Sequence, residues 1–161
     1  MANILAESGV IRGQVEFPVY YEDTDLSGFV YHSNYLKYFE RAREHVIGIR
    51  FLKELFDQGM HFVVSKVVLE YKAPAQHGDQ VLIVSEGQYS RSPAIPFEQN
   101  AYRVDAEGQK RLLVSGQVTI VALNAQNRPI RMPDVILERF QSHNRNAAGS
   151  EPTTDEESPP W

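Results

Sequence analysis

The run Tyr20-Tyr21-Glu22-Asp23-Thr24-Asp25-Leu26-Ser27-Gly28-Phe29-Val30-Tyr31-His32-Ser33-Asn34-Tyr35 gathers three carboxylates, a glycine and a histidine just ahead of an apolar stripe with helical period. The first N–H groups of a helix have no intrahelical acceptor, and the helix dipole is positive at that end. Such a helix start can hold the oxyanion that forms when a carbonyl is attacked. Asp25, seven residues before His32, can face the same point, and Gly28 permits a tight backbone between them. A carboxylate, oxyanion donors and a bound carbonyl are the parts that acyl transfer needs. Acidic residues ahead of a helix also cap it and complement its dipole without any chemistry.

The elements that must position these residues follow from hydrophobic period. Residues 14–21 alternate, with Val15, Phe17, Val19 and Tyr21 against polar neighbours, which predicts a half-buried strand. Pro18 cannot donate to a ladder and belongs at an edge or bulge. Tyr35, Phe39, Ala42, Val46 and Ile49 recur at steps of four and three, predicting a helix over 33–47 with Ser33 as its N-cap. A shorter helix is expected over 51–56. Beyond Gly59 the period falls to two, and strands are expected over 61–72, 80–91, 95–105 and 110–123. The turns between them are marked by His77-Gly78-Asp79, Ser92-Pro93 and Glu107-Gly108. Short connections imply antiparallel pairing of consecutive strands. A last helical stretch is expected over 133–141. One strand, one long helix and four more strands make an α+β domain, its sheet covered on one face by the helix.

Composition narrows the chemistry. The chain has 161 residues, no cysteine and a net charge of −5. Thiolate nucleophiles, disulfides and cysteine metal sites are excluded. Neither a nucleic-acid partner nor an integral membrane segment is expected, since there is no basic surplus and no apolar run long enough to span a bilayer. No export signal is evident, so the cytoplasm is the expected location. No phosphate loop or dinucleotide fingerprint is present, and the five histidines have no metal-ligand spacing, so neither a metal nor a cofactor is expected. Residues 145–161 carry four carboxylates against one arginine, with Pro152, Pro159 and Pro160. They are expected to form a disordered acidic tail behind a domain of residues 1–144.

The segment Tyr21-Glu22-Asp23-Thr24-Asp25, Gly28, Val30-Tyr31-His32, Asn34-Tyr35-Leu36 and Tyr38-Phe39-Glu40-Arg41-Ala42-Arg43 resembles the signature of the YbgC-type acyl-CoA thioesterases. These are part of the 4-hydroxybenzoyl-CoA thioesterase branch of the hotdog fold. Phe62-Val63-Val64, Glu70-Tyr71-Lys72-Ala73-Pro74-Ala75 and Phe97-Glu98-Gln99 extend the likeness, which runs from about Gly13 to Pro133. The resemblance implies a long central helix wrapped by a five-stranded antiparallel sheet. It also implies homodimers or homotetramers with shared active sites, and hydrolysis of acyl-CoA to free acid and thiol. The acyl groups expected are short-chain or aromatic, on coenzyme A or an acyl carrier protein. It places the catalytic carboxylate on Asp25 and the oxyanion donor on the backbone N–H of His32, whose side chain can orient substrate or water. Tyr31, Asn34 and Gly28 are motif neighbours assigned to substrate binding. Association with the Tol-Pal envelope system is a further implication, for which the acidic tail is a candidate segment.

Two alternative functions share these residues: a hotdog enoyl-thioester hydratase, and a non-catalytic acyl-carrier or envelope-complex protein. Glu40 is a fallback acid, because a related hotdog branch uses a carboxylate on the helix. Arg91, in the turn Arg91-Ser92-Pro93, is assigned to coenzyme A phosphates, which guanidinium groups pair with well. Phe29 is bulkier than the aliphatic residue common at its place and would narrow an acyl pocket. For Asp25, repulsion from Glu22 and Asp23 and attraction by the helix end act in opposite directions on the pKa.

Overall fold

The computed structural model describes residues 4–149. Five strands, β1 (Gly9–Pro18), β2 (His61–Tyr71), β3 (Gln80–Tyr89), β4 (Ala94–Val104) and β5 (Lys110–Leu123), form one sheet of order β1-β3-β4-β5-β2. All four pairings are antiparallel. Three helices accompany it: α1 (Asn34–Ile47), α2 (Ile49–Asp57) and α3 (Asp134–Gly149).

Helix α1 buries Tyr35, Tyr38, Phe39, Ala42, Val46 and Ile47, an apolar stripe at the spacing of one helical face. That stripe shares the core with Ile83, Phe97 and Val118, which come from the face of the sheet turned toward the helix. The fit is close: a Cβ added to Gly116 of β5 would stand 2.6 Å from the Phe39 ring and 2.8 Å from the Gln99 carbonyl oxygen. One polar pin crosses this interface. The Gln99 amide on β4 donates to the Phe39 carbonyl of α1 and to the Ser85 hydroxyl of β3, each at 2.9 Å. Its oxygen accepts from Arg43 Nη1 at 3.0 Å.

Several expectations are corrected. Consecutive strands pair at β3–β4 and β4–β5, but β2 and β3 do not pair; β2 lies on β5 and β3 on β1. The chain between them crosses the sheet end under the helix start, where buried Ala75 accepts from the Val30 N–H at 2.9 Å and Gln76 bridges Phe29. β1 begins at Gly9, ahead of the alternation read from residue 14, because Val10-Ile11 already pairs with β3 and buries Ile11. It stops at Pro18, which therefore sits at the end of an edge strand, and Tyr20 and Tyr21 leave the sheet. Helix α3 runs to Gly149, past the end expected for it at residue 141. His143 and Asn144, whose side chains bond the backbone of Arg12 and Val10, tie its last turns to β1. The remainder of the acidic tail expected there, residues 150–161, lies outside the described residues. Among the described residues no helix is long and apolar enough to cross a membrane.

Gly116→Ala is expected to lower stability by about 1–3 kcal/mol through overpacking against Phe39 and the β4 backbone. Thermal or denaturant unfolding measures it, and an unchanged midpoint would show that the helix is not seated this tightly.

Candidate active site

After β1 the chain makes one turn of 3-10 helix, Tyr21–Asp23, and this turn is organised by Asp23. Asp23 is buried. Its carboxylate accepts from the Tyr20 N–H at 2.8 Å and from the Asn34 side-chain amide at 3.1 Å. Its own carbonyl accepts from the Tyr31 N–H at 2.8 Å. One residue thus joins the strand exit, the far side of the loop and the first residue of α1. Burial, followed by the negative charge of Asp23, pushes the neighbouring Tyr38 phenol up, so it stays neutral.

Between these anchors residues 24–30 close on themselves. Thr24 bridges Val30, the Asp25 N–H donates to the Phe29 carbonyl at 3.1 Å, and the Gly28 N–H donates to the Asp25 carbonyl at 3.0 Å. Gly28 has φ of +81° with open space beside it, so the turn needs glycine for its backbone angle and not for room. The Asp25 side chain is exposed at the top of this turn. It accepts from both the backbone N–H and the hydroxyl of Ser27. The Ser27 hydroxyl, then its N–H, and more weakly the charge of His32 hold the Asp25 carboxyl below the ordinary carboxylate range. The opposing influences of Glu22, Asp23 and the helix end, weighed from sequence, are overtaken by this local pair of donors.

Ser33, expected as the N-cap, is already helical in its dihedral angles and makes no capping bond. Helical turn geometry starts earlier, with the Asn34 N–H donating to the Tyr31 carbonyl at 2.8 Å and that of Leu36 to the Ser33 carbonyl at 3.1 Å. Among the described residues the backbone N–H groups of His32 and Ser33 meet no acceptor. They are the free donors that a helix start offers to an anion. The His32 carbonyl accepts from the Tyr71 hydroxyl of β2 at 2.7 Å, and the His32 ring lies against the rings of Tyr31 (4.5 Å between centroids) and Tyr71 (6.5 Å).

The structure therefore brings Asp25, Gly28, Tyr31 and His32 to one exposed corner. Asn34, assigned to substrate, is buried with its amide committed to Asp23; it positions the loop instead. Arg91 is not at this corner. It follows the opposite end of β3 and is clamped by Glu7, Asp134 and the Met132 carbonyl, which ties the N-terminal segment to the start of α3. Glu40 lies two turns along α1, away from the corner. Sequence reading missed Asp23 as an anchor, Ser27 and Tyr71. Ser27, two residues after an aspartate, had a signal in the Asx-turn pattern. Tyr71 stood only within the family-like run Glu70–Ala75, with nothing to pair it with His32 until the sheet brings it there.

A single helix lying on a five-stranded antiparallel sheet, with a carboxylate loop at the helix start, is the hotdog arrangement, and solved structures bear this out. The chain is similar to a probable thioesterase from Bartonella henselae (28% identity, TM-score 0.61, covering 76% of this chain and 99% of that one). It also shares its fold with a 4-hydroxybenzoyl-CoA thioesterase (15% identity, TM-score 0.71, covering 84% and 99%). Among curated relatives, the acyl-CoA thioester hydrolase YbgC of Escherichia coli O6:H1 is 34% identical over 126 residues, which are 76% of this chain and 91% of the relative. The family model described as thioesterase-like superfamily matches residues 19–140. The chain belongs to the thioesterase-like superfamily.

Ser27→Ala is expected to raise the Asp25 pKa toward its ordinary value, because the charged form loses its strongest hydrogen bond. A carboxyl-carbon NMR titration of wild type and variant reads the shift directly; an unmoved midpoint would assign the depression to another group.

Proposed function

We propose that this protein hydrolyses acyl-CoA thioesters to free acid and thiol. The observation that carries the reading is the pairing of an exposed, deprotonated Asp25 with unpaired N–H donors at His32 and Ser33, both held by the buried Asp23. The relative named as an acyl-CoA thioester hydrolase supports the substrate class.

In this reading the thioester carbonyl oxygen points at the free N–H groups, which stabilise it as charge develops. Asp25 acts on the carbonyl carbon. Direct attack forms a mixed anhydride as the C–S bond breaks and the thiolate leaves; water then opens the anhydride and regenerates Asp25. General-base activation of a water is the other route. The lowered proton affinity keeps Asp25 deprotonated, the form that both routes need. His32 is placed to orient the substrate or the incoming water, and Tyr31 forms an aromatic wall beside it.

The working unit is a homodimer in this reading. β2 is an edge strand whose Val63, Val64, Val67 and Val68 are all exposed. Such an edge is a template for pairing with a second copy. Acyl-CoA is handled in the cytoplasm, where we place the enzyme.

Asp25→Asn should retain the fold and lower kcat by about 10²–10⁴-fold, the usual range for losing a positioned acid–base or nucleophilic group. Thiol release from an acyl-CoA panel measures it; wild-type turnover in that variant sinks the assignment. Val64→Lys combined with Val68→Lys should convert the dimer to a monomer in light scattering, by placing like charges along the paired edge. A wild-type protein that is already monomeric overturns the edge-pairing reading.

A further inference from the structure

The sheet has two edges, β2 on one side and β1 on the other. An edge strand presents a row of unpaired N–H and C=O groups, a ready template for a strand from a second chain. The two edges meet different surroundings, because α3 runs beside β1.

Helix α3 changes character along its length. Ile136, Leu137 and Phe140 are buried, and the Phe140 ring lies 5.1 Å from that of Tyr89, so the first half is seated in the core. Residues 141–146 bury no side chain. They reach the backbone of the edge instead. Gln141 Nε2 donates to the Ala6 carbonyl at 2.8 Å, and Asn144 Nδ2 donates to the Val10 carbonyl at 2.7 Å. His143 Nε2 meets the Arg12 carbonyl at 2.9 Å. A carbonyl only accepts, so His143 carries a proton on this nitrogen.

In an antiparallel ladder both main-chain groups of a residue point to the same side, and alternate residues point to opposite sides. The carbonyls of Val10 and Arg12 face α3, so these residues turn away from β3. By the same alternation Gln14 and Glu16 turn away from β3 as well. Val10 and Arg12 therefore offer the carbonyls that an added strand would use, and side chains of α3 hold both.

We infer that the end of α3 is a cover for the β1 edge, and that its side-chain donors keep a second copy of this chain from pairing there through its own β1. With the cover lifted, two β1 strands related by a twofold axis pair antiparallel. A protomer open at both edges adds copies without closing. The cover acts whether or not Asp25 cleaves a thioester, and whatever the size of the wild-type assembly.

Light scattering over a concentration series, with circular dichroism as the check on folding, tests this on the full chain. Gln141→Ala/His143→Ala/Asn144→Ala removes the donors while keeping good helix formers. His143→Pro breaks the helix just beyond its seated half. Both variants should keep the wild-type sheet signal and grow with concentration to about twice the wild-type mass or more, as pairing through a newly opened edge requires. Adding Gln14→Pro should return both to the wild-type mass. It removes an N–H that faces away from β3, and proline is tolerated at an edge but cannot donate to an added strand. Wild-type mass in both variants overturns the cover, as does growth that survives Gln14→Pro. Growth in the His143→Pro variant alone overturns the role given to the three side chains.

Discussion

The site depends on one buried carboxylate. Asp23 takes hydrogen bonds from Tyr20 at the strand exit and from Asn34 in the first turn of α1, and its carbonyl takes one from Tyr31. Removing a partner from a buried group leaves the rest unsatisfied at a cost of about 1–3 kcal/mol each. The loop is therefore over-determined, and the exposed Asp25 sits on a rigid support although it touches little itself. Order is supplied from beneath, while the face proposed to react stays open to solvent.

That division explains what could be read from the sequence. The helix over α1, the four later strands and the α+β class follow from period alone, because each element buries one face against a common core. Asp25 and His32 were legible because chemistry restricts the residue types at a helix start, and the motif around them is dense. Asp23 was not distinguishable from Asp25 by type; burial separates their roles, and burial of a loop side chain depends on what crosses above it. The crossing is the segment after β2, and its path was read wrongly because short connections suggest hairpins. Arg91 shows the same limit. An arginine in a turn is suited to phosphate, yet its carboxylate partners Glu7 and Asp134 come from distant parts of the chain.

The two faces of α1 have separate duties. Its start presents amide donors; its later turns pack on β3, β4 and β5 around Phe39 and carry Arg43 down to Gln99. The close approach at Gly116 fixes the height of the helix over the sheet, and so fixes the first turn relative to β2. Packing in the core and geometry at the corner are consequently one constraint.

The Tyr71 hydroxyl bond to the His32 carbonyl bears on this corner electronically as well as sterically. That carbonyl shares its peptide group with the N–H of Ser33. A hydrogen bond accepted at the oxygen draws electron density out of the amide, so the nitrogen end becomes more positive through the polarisation that links hydrogen bonds in series. A phenol on the edge strand thereby sharpens an amide on the helix, and the strand proposed to pair with a second subunit also sets how strongly the helix start attracts negative charge.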